Sequence, residues 1–184
     1  MRLSLARIRF LRGLSLVETT VAVAVFMGIL VTVILIHHSS ATAFQKTQVE
    51  GNTYRMAMLA VEQVKTELHG SVVSDVKSDE ITYQVPNVSG GHVEVDSSGY
   101  IIYDADEAKL TSQASGGNRY LVRIWKGETK RLACIGNGGA VAFSKPEERM
   151  LEVVVTAAVT GQGTKEKEST YKAAERFFLS NQLH

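Results

Sequence analysis

Hydrophobic and polar positions change rhythm twice along this chain. From Leu14 to Ile36 run 23 residues with one charge, Glu18, and no proline. Apolar side chains fill every face of such a segment, which predicts a helix surrounded by apolar material on all sides. At 1.5 Å per residue it reaches roughly 34 Å, enough to cross the hydrocarbon core of a bilayer. Between Leu14 and His69 the breakers are Gly28, Gly51 and the weak turn former Asn52, so the helix is expected to continue as far as Gly70-Ser71. Gly51-Asn52 marks a plausible break or bend. In the second half the pattern becomes one-sided. Tyr54, Ala57, Val61, Val64 and Leu68 recur at spacings of 3 and 4, while Arg55, Glu62, Lys65 and Thr66 take other faces. That stripe predicts a helix laid on a folded domain.

After Ser71 the period falls to two. Ile81–Val85 alternates and stops at Pro86-Asn87, and His92–Val95 alternates after the turn Ser89-Gly-Gly91. Tyr100–Tyr103, Tyr120–Lys126, Arg131–Ile135, Ala140–Phe143 and Met150–Val159 are further strand candidates, punctuated by Gly136-Asn-Gly-Gly139 and Lys145-Pro146. Short strands with glycine turns predict an antiparallel sheet, and so an α+β fold. Tyr171, Ala174, Phe177 and Phe178 would suit either a helix or a strand over 169–179.

Charge divides the chain further. The net charge is +1 over 184 residues, but Arg2, Arg7, Arg9 and Arg12 fall in the first 13 with no acid beside them. The rest carries 16 basic and 19 acidic side chains, a near-neutral body unlike a general nucleic-acid binder. Basic residues before an apolar span stay in the cytoplasm, so everything after Ile36 is expected to face outward. Cys134 is the single cysteine, and its apolar neighbours predict a buried small hydrophobe rather than a nucleophile.

Three readings of the N-terminal segment compete. A removed signal peptide would end at Ala41-Thr42-Ala43 and leave Phe44 first, but the apolar run is far longer than the usual 7–15 residues. A plain signal anchor explains the length but not Glu18, because an ionisable group in a membrane is costly unless it has a partner. The third reading comes from a resemblance. Arg12-Gly13-Leu14-Ser15-Leu16-Val17-Glu18 resembles the cleavage motif of the type IV pilin and type II secretion pseudopilin family: a basic leader, a glycine, an apolar residue, and a glutamate fifth after the cut. Leu14 departs from the commoner phenylalanine.

The resemblance implies a division into a leader (1–13), a transmembrane or filament-core helix (14–43) and an outward pilin-like α+β domain (44–184). It implies that prepilin peptidase cuts between Gly13 and Leu14 and that the new Leu14 amine is methylated. Glu18 would pair with the Leu14 amine of a neighbouring subunit, a strongly coupled pair in low dielectric. The order of segments after Tyr120 looks like the J-type minor pseudopilin and its pilus counterparts, which implies a closing strand over 169–179. Ala22–Phe26 and the absence of proline at Leu35 agree with that branch. The implied partners are major and minor pilins, the peptidase, an inner-membrane assembly platform and, before assembly, lipid. The implied location is the cell inner membrane, single-pass, and then a filament.

The search for other chemistry is brief. Gly136-Asn-Gly-Gly139 lacks the Gly-Lys-Ser/Thr ending of a phosphate loop. His37 and His38 are adjacent and point to different helix faces, a poor geometry for joint metal ligation. No catalytic set is expected, and no cofactor. Asp104, Asp106 and Glu107 make a weak calcium candidate that lacks a full loop of oxygen ligands. Arg119, Arg123, Trp125, Lys126, Lys130 and Arg131 form a basic, aromatic block that could meet a partner subunit's acids. The same block is what an adhesin or DNA-uptake pilin would use, although nucleic acid is not the expected partner.

Overall fold

The structure, a computed structural model, describes residues 16–160 and 168–179. It is α+β. One helix, α1 (Leu16–Leu68), is followed by β1 (Val72–Val76), β2 (Glu80–Pro86), β3 (Val88–Ser89), β4 (His92–Val93), β5 (Tyr103–Ser115), β6 (Asn118–Trp125), β7 (Glu128–Gly136), β8 (Ala140–Glu147), β9 (Met150–Thr160) and β10 (Glu168–Phe178). The chain divides between Gln45 and Lys46 into two units. Helical hydrogen bonding passes through Gly51-Asn52 without a break, because Gly51 costs about 1 kcal/mol in a helix and its neighbours supply more than that. The helix stops where Gly70 takes a left-handed φ of 76° and the Ser71 amide donates to the Leu68 carbonyl.

In place of one sheet there are three, all antiparallel. Five strands are ordered β1-β2-β5-β6-β7, three are ordered β10-β9-β8, and β3 pairs with β4. The inner faces follow the period of two: Ile81 and Tyr83, Ala108 and Leu110, Leu121, Ile135, then Val141 and Phe143, and Leu151, Val153, Val155 and Ala157. Across them lies the second half of α1, burying Thr53, Ala57, Ala60, Val61, Val64 and Leu68. Ala57 and Ala60 put small side chains at the centre of that buried face, both at 0% exposure. The stripe differs from the expected one at two places: Ala60 joins it, and at its start Thr53 is buried while Tyr54 turns aside to meet Tyr171 edge-on at 4.9 Å.

The ambiguous run 169–179 is a strand, held to β9 in unbroken register from Glu168↔Thr160 to Phe178↔Met150. Pro146 lies within β8 rather than after it. That strand is an edge of its sheet, and its register shifts between Ser144 and Glu147, where a missing N–H does no harm. The 13-residue β5, expected only at Tyr103, is the central strand of the larger sheet. At Gly136 (φ 81°) the end of β7 comes so near β9 that an added Cβ would overlap the Ala158 carbonyl.

Candidate functional site

In the first unit, the large apolar side chains from Leu16 to Ile36 are exposed on every face. This helix is long and apolar enough to cross a membrane. Its hydroxyls are satisfied within the helix: Thr20 Oγ1 donates to the Leu16 carbonyl at 2.8 Å and Thr32 Oγ1 to the Gly28 carbonyl at 2.9 Å. Such a segment can enter an apolar medium without unpaired hydroxyls, which leaves Glu18 as its one charge. Glu18 lies in the first described turn, where the helix dipole favours a carboxylate. The expected cleavage site, Gly13 and Leu14, and the leader lie outside the described residues.

In the second unit, the basic block does not form one patch. Arg123 turns inward from β6, and its Nη1 donates to Glu67 Oε2 of α1 at 2.9 Å. Both side chains are largely covered, at 21% and 13% exposure, so the pair is worth more than a surface contact and is costly to halve. Tyr83 hydroxyl donates to the same Glu67 oxygen at 3.4 Å. Burial, and then the Glu67 charge, push the Tyr83 phenol well above its ordinary value, while Arg123 pulls it back. The Arg123 guanidinium also lies 5.4 Å from the Trp125 ring centroid. Trp125 packs against the core, and its indole N–H is buried without a partner among the described residues.

Lys126 reaches the other way, with Nζ 4.7 Å from the Trp125 centroid and 2.6 Å from Asp104 Oδ2. That hydrogen bond holds the Asp104 carboxyl below the usual carboxylate range and raises Lys126. Arg131 stands over Tyr120 at 4.9 Å and donates to Ser115 Oγ at 2.7 Å. It borders a cleft of about 230 Å³ with Gln113, Ser115, Tyr120 and Thr129. Arg119 and Lys130 make no ion pair among the described residues.

The calcium candidate is not assembled. Asp104 is occupied by Lys126, the Asp106 amide donates to Asp104 Oδ1, and the alternation of β5 sends Glu107 to the opposite face. Among the described residues no group of three or more His, Cys, Asp or Glu side chains is placed to hold a metal. Cys134 is half-buried on β7.

Sequence reasoning overlooked Glu67 and Tyr83. The signals were available: Glu67 falls three residues after Val64 and seven after Ala60, on the sheet-facing side of α1, and Tyr83 lies in phase with Ile81. Comparison of the chain with protein-family models, with curated proteins and with solved structures finds no match in any of the three.

Proposed function

We propose that this chain is a non-catalytic structural subunit of the pilin and pseudopilin kind, held in the inner membrane by its N-terminal helix and then built into a thin filament. The observation that carries the reading is the apolar surface from Leu16 to Ile36, exposed on every face, with Glu18 as its one charge. Each large apolar side chain there gains about 1.5–3 kcal/mol on leaving water, so the segment requires lipid or other helices around it. A cut after Gly13 would place the new amine four residues before Glu18, the offset at which the resemblance implies pairing between that carboxylate and a neighbour's amine. The packing of the second half of α1 on antiparallel strands is compatible with a pilin-like architecture. We assign the chain to the minor class, with a role in initiating assembly, on the resemblance of its C-terminal segment order.

Two substitutions test this. Gly13→Leu should accumulate as an uncut precursor in the membrane. Glu18→Gln should be cut normally yet be missing from sheared filaments. Normal incorporation of Glu18→Gln would count against the assembly role of that carboxylate.

A further inference from the structure

Charge along the larger sheet is sorted by position. Residues 87–107 hold Glu94, Asp96, Asp104, Asp106 and Glu107 with no Lys or Arg. Residues 108–127 hold Lys109, Arg119, Arg123 and Lys126 with no acid. Three of those bases are matched within the chain: Lys109 by Glu80, Arg123 by Glu67 and Lys126 by Asp104. Among the described residues, Arg119, Lys130 and Arg131 make no ion pair, and Arg119 and Arg131 lie near the Ser115–Asn118 turn.

Residues 87–102 of the acidic segment, with Glu94 and Asp96, form an ordered arm. It continues the β2–β5 ladder past Pro86↔Tyr103: Asn87 donates to the Ile102 carbonyl, Glu94 to the Asn87 carbonyl and Ile102 to the Glu94 carbonyl, and Val95 bridges Ile101. Asp96 Oδ1 accepts from the amides of Ser98 and Tyr100 and fixes the tip. This arm has no core of its own. Val88, Val93, Val95 and Tyr100 are exposed, Tyr100 to 73%. Ordering has already been met by backbone bonds, so docking the arm would cost little further entropy.

We propose that copies of this chain associate head to tail through the five-stranded sheet, the arm of one copy seating Tyr100 and Glu94 against the Tyr120–Arg131 cleft of the next. The two surfaces are complementary in sign, and the cleft offers an aromatic ring and a guanidinium to an apolar, acidic partner. They cannot meet within one molecule. The arm leaves β5 at Tyr103, and the cleft begins at the level of Lys109, opposite Ile124 and Thr129, about 20 Å further along at 3.3 Å per residue. The inference goes beyond the filament reading and does not depend on where the N-terminus is cut.

The test uses the full chain in detergent, with Cys134→Ala to remove the native thiol. Chains carrying Ser98→Cys, at the exposed tip beside Tyr100, are mixed with differently tagged chains carrying Thr129→Cys and treated with a short bismaleimide. The mixed cross-link should exceed that of a Ser98→Cys and Glu62→Cys control pair by about tenfold. Arg131→Glu in the acceptor should lower the yield about fivefold, and Glu94→Lys in the donor should restore it. A mixed yield no higher than the control, cross-links confined to identical positions, or no rescue by the exchanged charges would overturn the proposal. Failure here leaves the filament reading standing, and an unexpected mature N-terminus leaves this one standing.

Discussion

The two halves of α1 have the same backbone and opposite fates. From Leu16 to Ile36 its large apolar side chains are exposed and find no partner in the described chain. From Thr53 to Leu68 it buries a stripe of six residues, four of them at 0% exposure, against its own strands. The contrast teaches where each half gets its stability. The second half is completed by this chain's sequence, so its faces are differentiated. The first half has no such partner among the described residues; its faces are alike, apolar and exposed, and it carries one charge, Glu18.

A charge moved into each half should have opposite consequences. Val64→Asp places an unpaired carboxylate at a fully buried position and should cost about 4 kcal/mol or more, read as loss of the cooperative denaturation of the strand domain. Val23→Asp should leave that transition within about 0.5 kcal/mol and instead lower retention of the chain in membranes. Equal losses of denaturation stability would erase the distinction between the halves.

Gly136→Ala must push the Ala158 carbonyl aside at a positive φ and should cost about 2–4 kcal/mol in urea denaturation. Gly99→Ala shares the positive φ but meets open space, and should cost about 1 kcal/mol. Similar losses would mean that the strands do not meet tightly at Gly136.

Smaller still are the effects at the polar seam between helix and sheet. Glu67→Gln leaves the Arg123 guanidinium half-covered without its counter-charge and should cost about 2 kcal/mol. The double variant Glu67→Gln with Arg123→Met should recover part of that loss; a double loss equal to the two singles added would show that the groups act independently. Tyr83 adds a pH signature. Its phenol is held above the ordinary value of 10.0, so the native state keeps a proton that the unfolded chain releases. That contribution is complete below pH 10 and declines as pH rises beyond it, and Tyr83→Phe should flatten the alkaline fall in stability.

Legibility in the sequence followed how many neighbours decide each position. The helix and its stripe were legible because spacing alone sets which side chains share a face. Tyr54 was assigned to the core by the same spacing, yet Thr53 takes the place because its hydroxyl is satisfied by the Val49 carbonyl at 2.7 Å. The central strand β5 escaped notice because only Ala108 and Leu110 are buried along it, and its other face is polar. Arg123 read as surface charge because Glu67 is 56 residues away in sequence. The basic block was legible as composition, but its division into an inward pair, a Lys126–Asp104 bridge and an outer cleft depends on register.

The filament reading makes the first half of α1 an assembly element once a cut after Gly13 has removed the leader. Its most direct test is mass spectrometry of the N-terminal peptide of the mature chain, purified from membranes of cells that make it. The account predicts a chain that begins at Leu14 with a methylated amine. A mature N-terminus at Phe44, or an uncut chain beginning at Met1, would contradict it.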